Sequence, residues 1–69
     1  MNYVPLIPER LTYAETAPGE RYEVWRTPQG RSRFQVVFFR QGVAVNQHYY
    51  NDLISARKNF ERMVEEKIR

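Results

Sequence analysis

Between residues 21 and 40 the chain carries five arginines, Arg21, Arg26, Arg31, Arg33 and Arg40, against a single carboxylate, Glu23. Tyr22, Trp25, Phe34, Phe38 and Phe39 are interleaved with them. A guanidinium is a planar fork of donors that fits carboxylate, phosphate or a guanine edge, and it also stacks on aromatic rings. That is the chemistry of recognition. The groups that make and break bonds are scarce. There is no Cys, and His48 is the one imidazole. Nucleophilic catalysis needs a hydroxyl or thiol beside a base, and proton transfer needs a group tuned by its neighbours. Ser32 and Ser55 have no such motif, and a lone His48 on a strand reads as a surface or packing residue. No catalytic residue is assigned, and a non-enzymatic protein is expected. The three glycines lie far apart, so no phosphate-cradling loop is expected. Glu61, Glu65 and Glu66 read as a solvated helix face, and neither zinc nor calcium spacing appears. Neither metal nor cofactor is expected.

A chain of 69 residues is one small domain, which buries a modest share of its surface and is marginally stable. Without Cys it has no disulfides and must hold itself by packing. That composition fits a reducing cytoplasm. The start, Met1 to Pro5, lacks a basic segment followed by an apolar one, and no apolar run approaches the roughly 20 residues that span a bilayer. A cytoplasmic protein without membrane contact is the expectation. The net charge of +3 is unevenly spread: −2 over residues 1–20, +4 over residues 21–50 and +1 over the remainder. A positive excess of this size, all Arg in its central part, suggests an acidic partner.

The elements that must position these residues follow from turn chemistry and periodicity. Pro5, Pro8 and Pro18 keep residues 1–20 out of regular helix, so this stretch reads as an extended arm. Leu11 to Ala14 leaves room for a short extra strand before a turn at Pro18-Gly19. Residues 21–69 then read as three strands and a helix. Arg21 to Thr27 is a strand, and Pro28-Gln29-Gly30 is a three-residue hairpin loop. Ser32 to Arg40, rich in Phe and Val, is the second strand. Gln41-Gly42 is a tight turn, and Val43 to Tyr50 is the third strand. Asn51 or Asp52 caps a helix from Leu53 to Arg69, with Leu53, Ala56, Phe60, Met63, Val64 and Ile68 at helical spacing. The expected fold is α+β: a three-stranded antiparallel sheet packed on one C-terminal helix.

Turn lengths set the register, and register sets the face of each side chain. Val24 falls opposite Phe34, and Phe38 opposite Val45. One face then collects Tyr22, Val24, Phe34, Val36, Phe38, Val43, Val45 and Tyr49 for the helix. The other carries Glu23, Trp25, Arg33, Gln35, Val37, Phe39, Ala44, Asn46, His48 and Tyr50. Exposed aromatics beside Arg are characteristic of interface cores. Three uses of this second face are open: a cover for it in the N-terminal arm, a seam between two copies, or a surface for another molecule.

The leading functional reading is a protein-binding module, an adaptor, inhibitor or regulator, meeting its partner through Trp25, Arg33, Gln35, Val37, Phe39, Asn46, His48 and Tyr50. The alternative is double-stranded DNA, since a three-stranded sheet fits the major groove. Three strands followed by one helix, with an Arg- and Trp-bearing sheet, is similar in topology to plant AP2-type and integrase arm-binding domains. That resemblance implies phosphate or base contacts for Arg26, Arg31, Arg33 and Arg40, and stacking for Trp25. The modest net charge weighs toward the protein partner, because nucleic-acid affinity draws on many cations.

Overall fold

A computed structural model of the protein describes residues 8–28 and 33–69. The architecture is α+β: four antiparallel strands in the order β1-β2-β3-β4, packed on one C-terminal helix. The strands are β1 Glu9–Ala17, β2 Glu20–Arg26, β3 Phe34–Arg40 and β4 Val43–Tyr50, and the helix is α1 Leu53–Ile68.

Strand β1 is the first departure from the expected fold. The segment read as an arm with room for a short strand forms a full nine-residue edge strand hydrogen-bonded to β2. The prolines do not oppose this, because Pro8 and Pro18 flank the strand rather than interrupt it. Residues 1–7 of the expected arm lie outside the described residues. Pro18-Gly19 makes the β1–β2 turn, with Gly19 at φ 77°. At the β3–β4 turn Gln41 and Gly42 lie at φ 53° and 79°, the pair of left-handed residues that a two-residue hairpin requires. The two turns are tied together: the Gln41 N–H donates to the Gly19 carbonyl at 2.7 Å.

The registers differ from expectation in two ways. Arg26 pairs with Phe34, and the Thr27 N–H donates to the Arg33 carbonyl at 2.6 Å. The β2–β3 connection is therefore longer than a three-residue loop, and Val24 meets Val36 rather than Phe34. The slip is two residues, so every side chain on β2 and β3 keeps its expected face. Strand β4 is different. Arg40 pairs with Val43 and Phe39 with Ala44, as the tight turn dictates, but Phe38 pairs with Asn46. One extra residue, Val45, is accommodated in a bulge, and beyond it the faces invert. Asn46, His48 and Tyr50 turn toward the helix side, opposite Phe38, Val36 and Phe34, while Gln47 and Tyr49 turn outward.

The core lies between sheet and helix. Val24, Val36 and Ala56 are buried, with Tyr22, Phe34, Tyr50, Phe60 and Met63 packed around them. Ala56, Phe60 and Met63 recur at helical spacing and form the inward stripe. Ile68, read as part of that stripe, is exposed. Asp52 is the N-cap: its carboxylate accepts from the Ser55 N–H at 2.8 Å. Arg62 pairs with Glu66, and Arg69 with Glu65, along the outer side of the helix.

Gly19 tests the tie between the turns. A Cβ at this position would lie 2.5 Å from Gln41 Nε2, and the φ is left-handed. Side-chain motion relieves the contact, but the backbone strain remains. Gly19→Ala is expected to destabilise the fold by about 1–2 kcal/mol in urea unfolding, whereas a loss below a few tenths would show that the turn relaxes freely.

Candidate functional site: the outward sheet face

The face away from the helix is built in three rows across the sheet. Tyr13, Glu23, Val37 and Gln47 form the central row. Arg10, Trp25, Gln35 and Tyr49 lie on one side of it, and Glu15, Arg21, Phe39 and Ala44 on the other. Two residues in the middle are buried although no helix covers them: Glu23 is 1% exposed and Val37 5%. Side chains of the flanking rows reach this centre: Arg10, Arg21 and Trp25 all bond to Glu23.

Glu23 holds that layer in place. Its Oε1 accepts from the Trp25 indole N–H at 2.7 Å. Its Oε2 accepts from Arg21 Nε and, at 3.4 Å, from Arg10 Nη1. Each arginine has a second role. The Arg10 guanidinium sits 4.6 Å from the Tyr13 ring centre, and that of Arg21 sits 5.4 Å from the Phe39 ring centre, both within cation–π range. A continuous chain of contacts therefore runs from Tyr13 through Arg10, Glu23 and Arg21 to Phe39, with Trp25 joining at the carboxylate. Burial by itself would raise the Glu23 pKa. The hydrogen bonds from Arg21 and Trp25, with the charges of Arg21 and Arg10, outweigh it and hold the carboxyl below its usual range. Glu23 is thus an ionised anchor with both oxygens occupied, a poor arrangement for donating or accepting a catalytic proton.

The expected site divides in two. Trp25, Gln35, Val37 and Phe39 are brought together on this face, with Trp25 opposite Gln35. Arg33 is exposed at the entrance to β3. Asn46, His48 and Tyr50 are corrected to the opposite face, because the β4 bulge inverts their alternation; Tyr50 packs into the core. Sequence reading missed Arg10, Tyr13, Arg21, Gln47 and Tyr49 as members of the site, and it did not foresee the anchoring part of Glu23. Tyr49, expected inward, is 57% exposed, and its hydroxyl donates to Gln47 Oε1 at 2.9 Å. The available signal was Glu23 itself, a lone carboxylate between Tyr22 and Val24 in an arginine-rich strand.

The arginines proposed for nucleic acid are placed differently. Arg26 and Arg40 stand in rows of the helix side and pair with Glu9 and Glu20. Arg31 lies outside the described residues. On the outward rows Arg10 and Arg21 are balanced by Glu15 and Glu23, and on the helix side the positive excess of residues 21–50 is offset by Glu9 of β1 and Glu20 at the start of β2. A depression of about 220 Å³ at the turn end of this face is lined by Glu15, Gly19, Glu20, Arg21, Phe39 and Gln41, among others. Among the described residues no group of three His, Cys, Asp or Glu is placed to hold a metal ion, and no helix is long and apolar enough to cross a membrane.

The pKa of Glu23 has a thermodynamic consequence. Its folded value lies below its unfolded one, so the unfolded chain binds the proton more readily. The stabilisation is complete above the ordinary carboxylate range, near about 4.3, and is lost as pH falls through the folded value. Urea unfolding between about pH 7 and pH 2 is expected to show a steeper acid loss for the native chain than for Glu23→Gln; parallel curves would mean that the carboxylate contributes nothing through its charge. No protein-family model matches this chain, and no significant match is found among curated proteins or solved structures.

Proposed function

We propose that the protein is a non-enzymatic binding module, an adaptor, inhibitor or regulator, whose outward sheet face receives a protein partner. The observation that carries this reading is the Glu23-anchored layer of Trp25, Arg21, Arg10, Tyr13 and Phe39. Trp, Tyr and Arg are the residues that dominate interface energetics. Here they are fixed before any partner arrives, which lowers the entropy lost on binding. Tyr13 and Tyr49 stand exposed at the two sides of the layer, and Phe39 and Arg21 border the depression at its turn end. The near balance of charge on this face favours shape and directional contacts over a long-range field. Arg33, exposed at the margin, is the cation available to an acidic group of the partner.

Double-stranded DNA receives less support. Arg26 and Arg40 are already engaged by Glu9 and Glu20, and phosphate binding would have to break those pairs as well as release counterions.

The test uses the purified protein as bait in a lysate of the source cell, with nuclease added to half of the sample. A bound protein is expected to survive nuclease. Its affinity should change little between about 50 and 200 mM salt, a range over which several phosphate contacts would lose about a thousandfold or more. Tyr13→Ser combined with Phe39→Ser should weaken capture at least about tenfold with the circular dichroism unchanged. Capture that disappears with nuclease would transfer the surface to nucleic acid.

A further inference from the structure

The two edges of the sheet are unlike each other. Strand β1 carries Glu9, Arg10 and Glu15 and is interrupted by two register shifts, at Arg10/Thr12 and Glu15/Ala17. Charges and bulges are how an edge is protected from pairing with another chain. Strand β4, Val43–Tyr50, has no charged residue and no Pro or Gly, and its one irregularity lies near its start. Seven of its eight residues are exposed, Val43 at 63% and Tyr49 at 57% among them. Every second residue of such a strand directs its N–H and C=O away from β3, and among the described residues no strand pairs with that side.

We infer that β4 is a self-pairing edge: a second copy of this chain docks its own β4 antiparallel against it, giving a continuous eight-stranded sheet. The occupant is argued from the strand's own chemistry. With no formal charge along β4, self-pairing sets no like charges opposite each other. Asn46, Gln47, His48 and Tyr49 each carry both a donor and an acceptor, so two identical rows can hydrogen-bond to each other. A charged partner strand would find nothing in β4 to select it.

Symmetry then fixes the geometry. Antiparallel pairing of identical strands requires a two-fold axis normal to the sheet, and the interface is isologous. Residues opposite one another must share a face, and beyond the bulge this is met by the register that places Gln47 opposite Gln47 of the second copy, flanked by Asn46 opposite His48. Both helices lie on one side. The two outward faces join on the other, with Tyr49 beside the seam. This inference stands apart from the partner reading, whose Glu23-anchored layer comes from β1, β2 and β3; the two share only the β4 residues at the border of that layer, Gln47 and Tyr49.

A single strand seam is small beside the interfaces of stable dimers, so the dimer dissociates on dilution. The test is sedimentation equilibrium of the full chain over a concentration series, with two variants, Val45→Lys with Gln47→Lys and Val45→Glu with Gln47→Glu. The native mass should rise from 8.4 kDa toward twice that value as concentration approaches ~1 mM. Each variant alone should stay monomeric with an unchanged circular dichroism spectrum, and an equimolar mixture of the two should associate again. Recovery on mixing separates a seam at β4 from a variant that has merely misfolded. A native protein that stays monomeric throughout, or Lys and Glu variants that dimerise as well as the native chain, would overturn the inference. So would a monomer whose β4 amides become protected only by another protein.

Discussion

One carboxylate at the centre of the sheet face away from the helix organises the molecule away from its core. Glu23 accepts from Trp25, Arg21 and Arg10, and the two guanidinia lie against Phe39 and Tyr13. An ionised group so deeply buried is costly unless fully partnered. Here the partners come from β1 and β2 together, so the anchor also records that β1 belongs to the sheet. Arg10 in particular has its place only once β1 has paired. The helix side is organised by ordinary apolar burial around Val24, Val36 and Ala56. Two layers thus rest on two kinds of cohesion, a hydrophobic one under the helix and a polar, directional one on the opposite side.

Large parts of this were legible in the sequence. The alternation in β2 and β3 places Tyr22, Val24, Phe34, Val36 and Phe38 inward and Trp25, Gln35, Val37 and Phe39 outward, as the structure has them. This survived a misjudged hairpin loop because the error was two residues, and the side-chain period of a strand is also two. The helix was marked by Asp52, by the spacing of Ala56, Phe60 and Met63, and by the absence of Gly and Pro. Strand β1 was obscured because the prolines around it drew attention, while Thr12, Tyr13 and Thr16, good strand formers, lie among the charges of a protected edge. The inversion in β4 was not legible at all. A bulge adds one residue against an unchanged partner, and Val43-Ala44-Val45-Asn46 reads equally well as regular strand. That single feature removed Asn46, His48 and Tyr50 from the outward face and added Gln47 and Tyr49.

Charge shows how far a segment sum misleads. The excess of arginine in residues 21–50 suggested a positive sheet, yet the structure returns carboxylates to it from outside that stretch: Glu9 to Arg26 and Glu20 to Arg40. Pairings of this kind join residues far apart in the chain, so composition by segment cannot see them. They are exposed and add little stability each, but they flatten the electrostatic field.

The bulge at Val45 also bears on how this sequence can change over evolutionary time. Most substitutions in β4 alter one side chain on one face. Flattening the bulge without losing a residue would exchange the whole distal half of the strand at once: Tyr50, His48 and Asn46 would move outward, and Tyr49 and Gln47 would move under the helix. The core would lose the Tyr50 that now packs against it, and the recognition surface would be rewritten in the same step. Deletion of Val45 itself would remove the bulge and leave every distal face where it is, so lineages descended from this fold should show regular alternation in β4 only where the strand is one residue shorter.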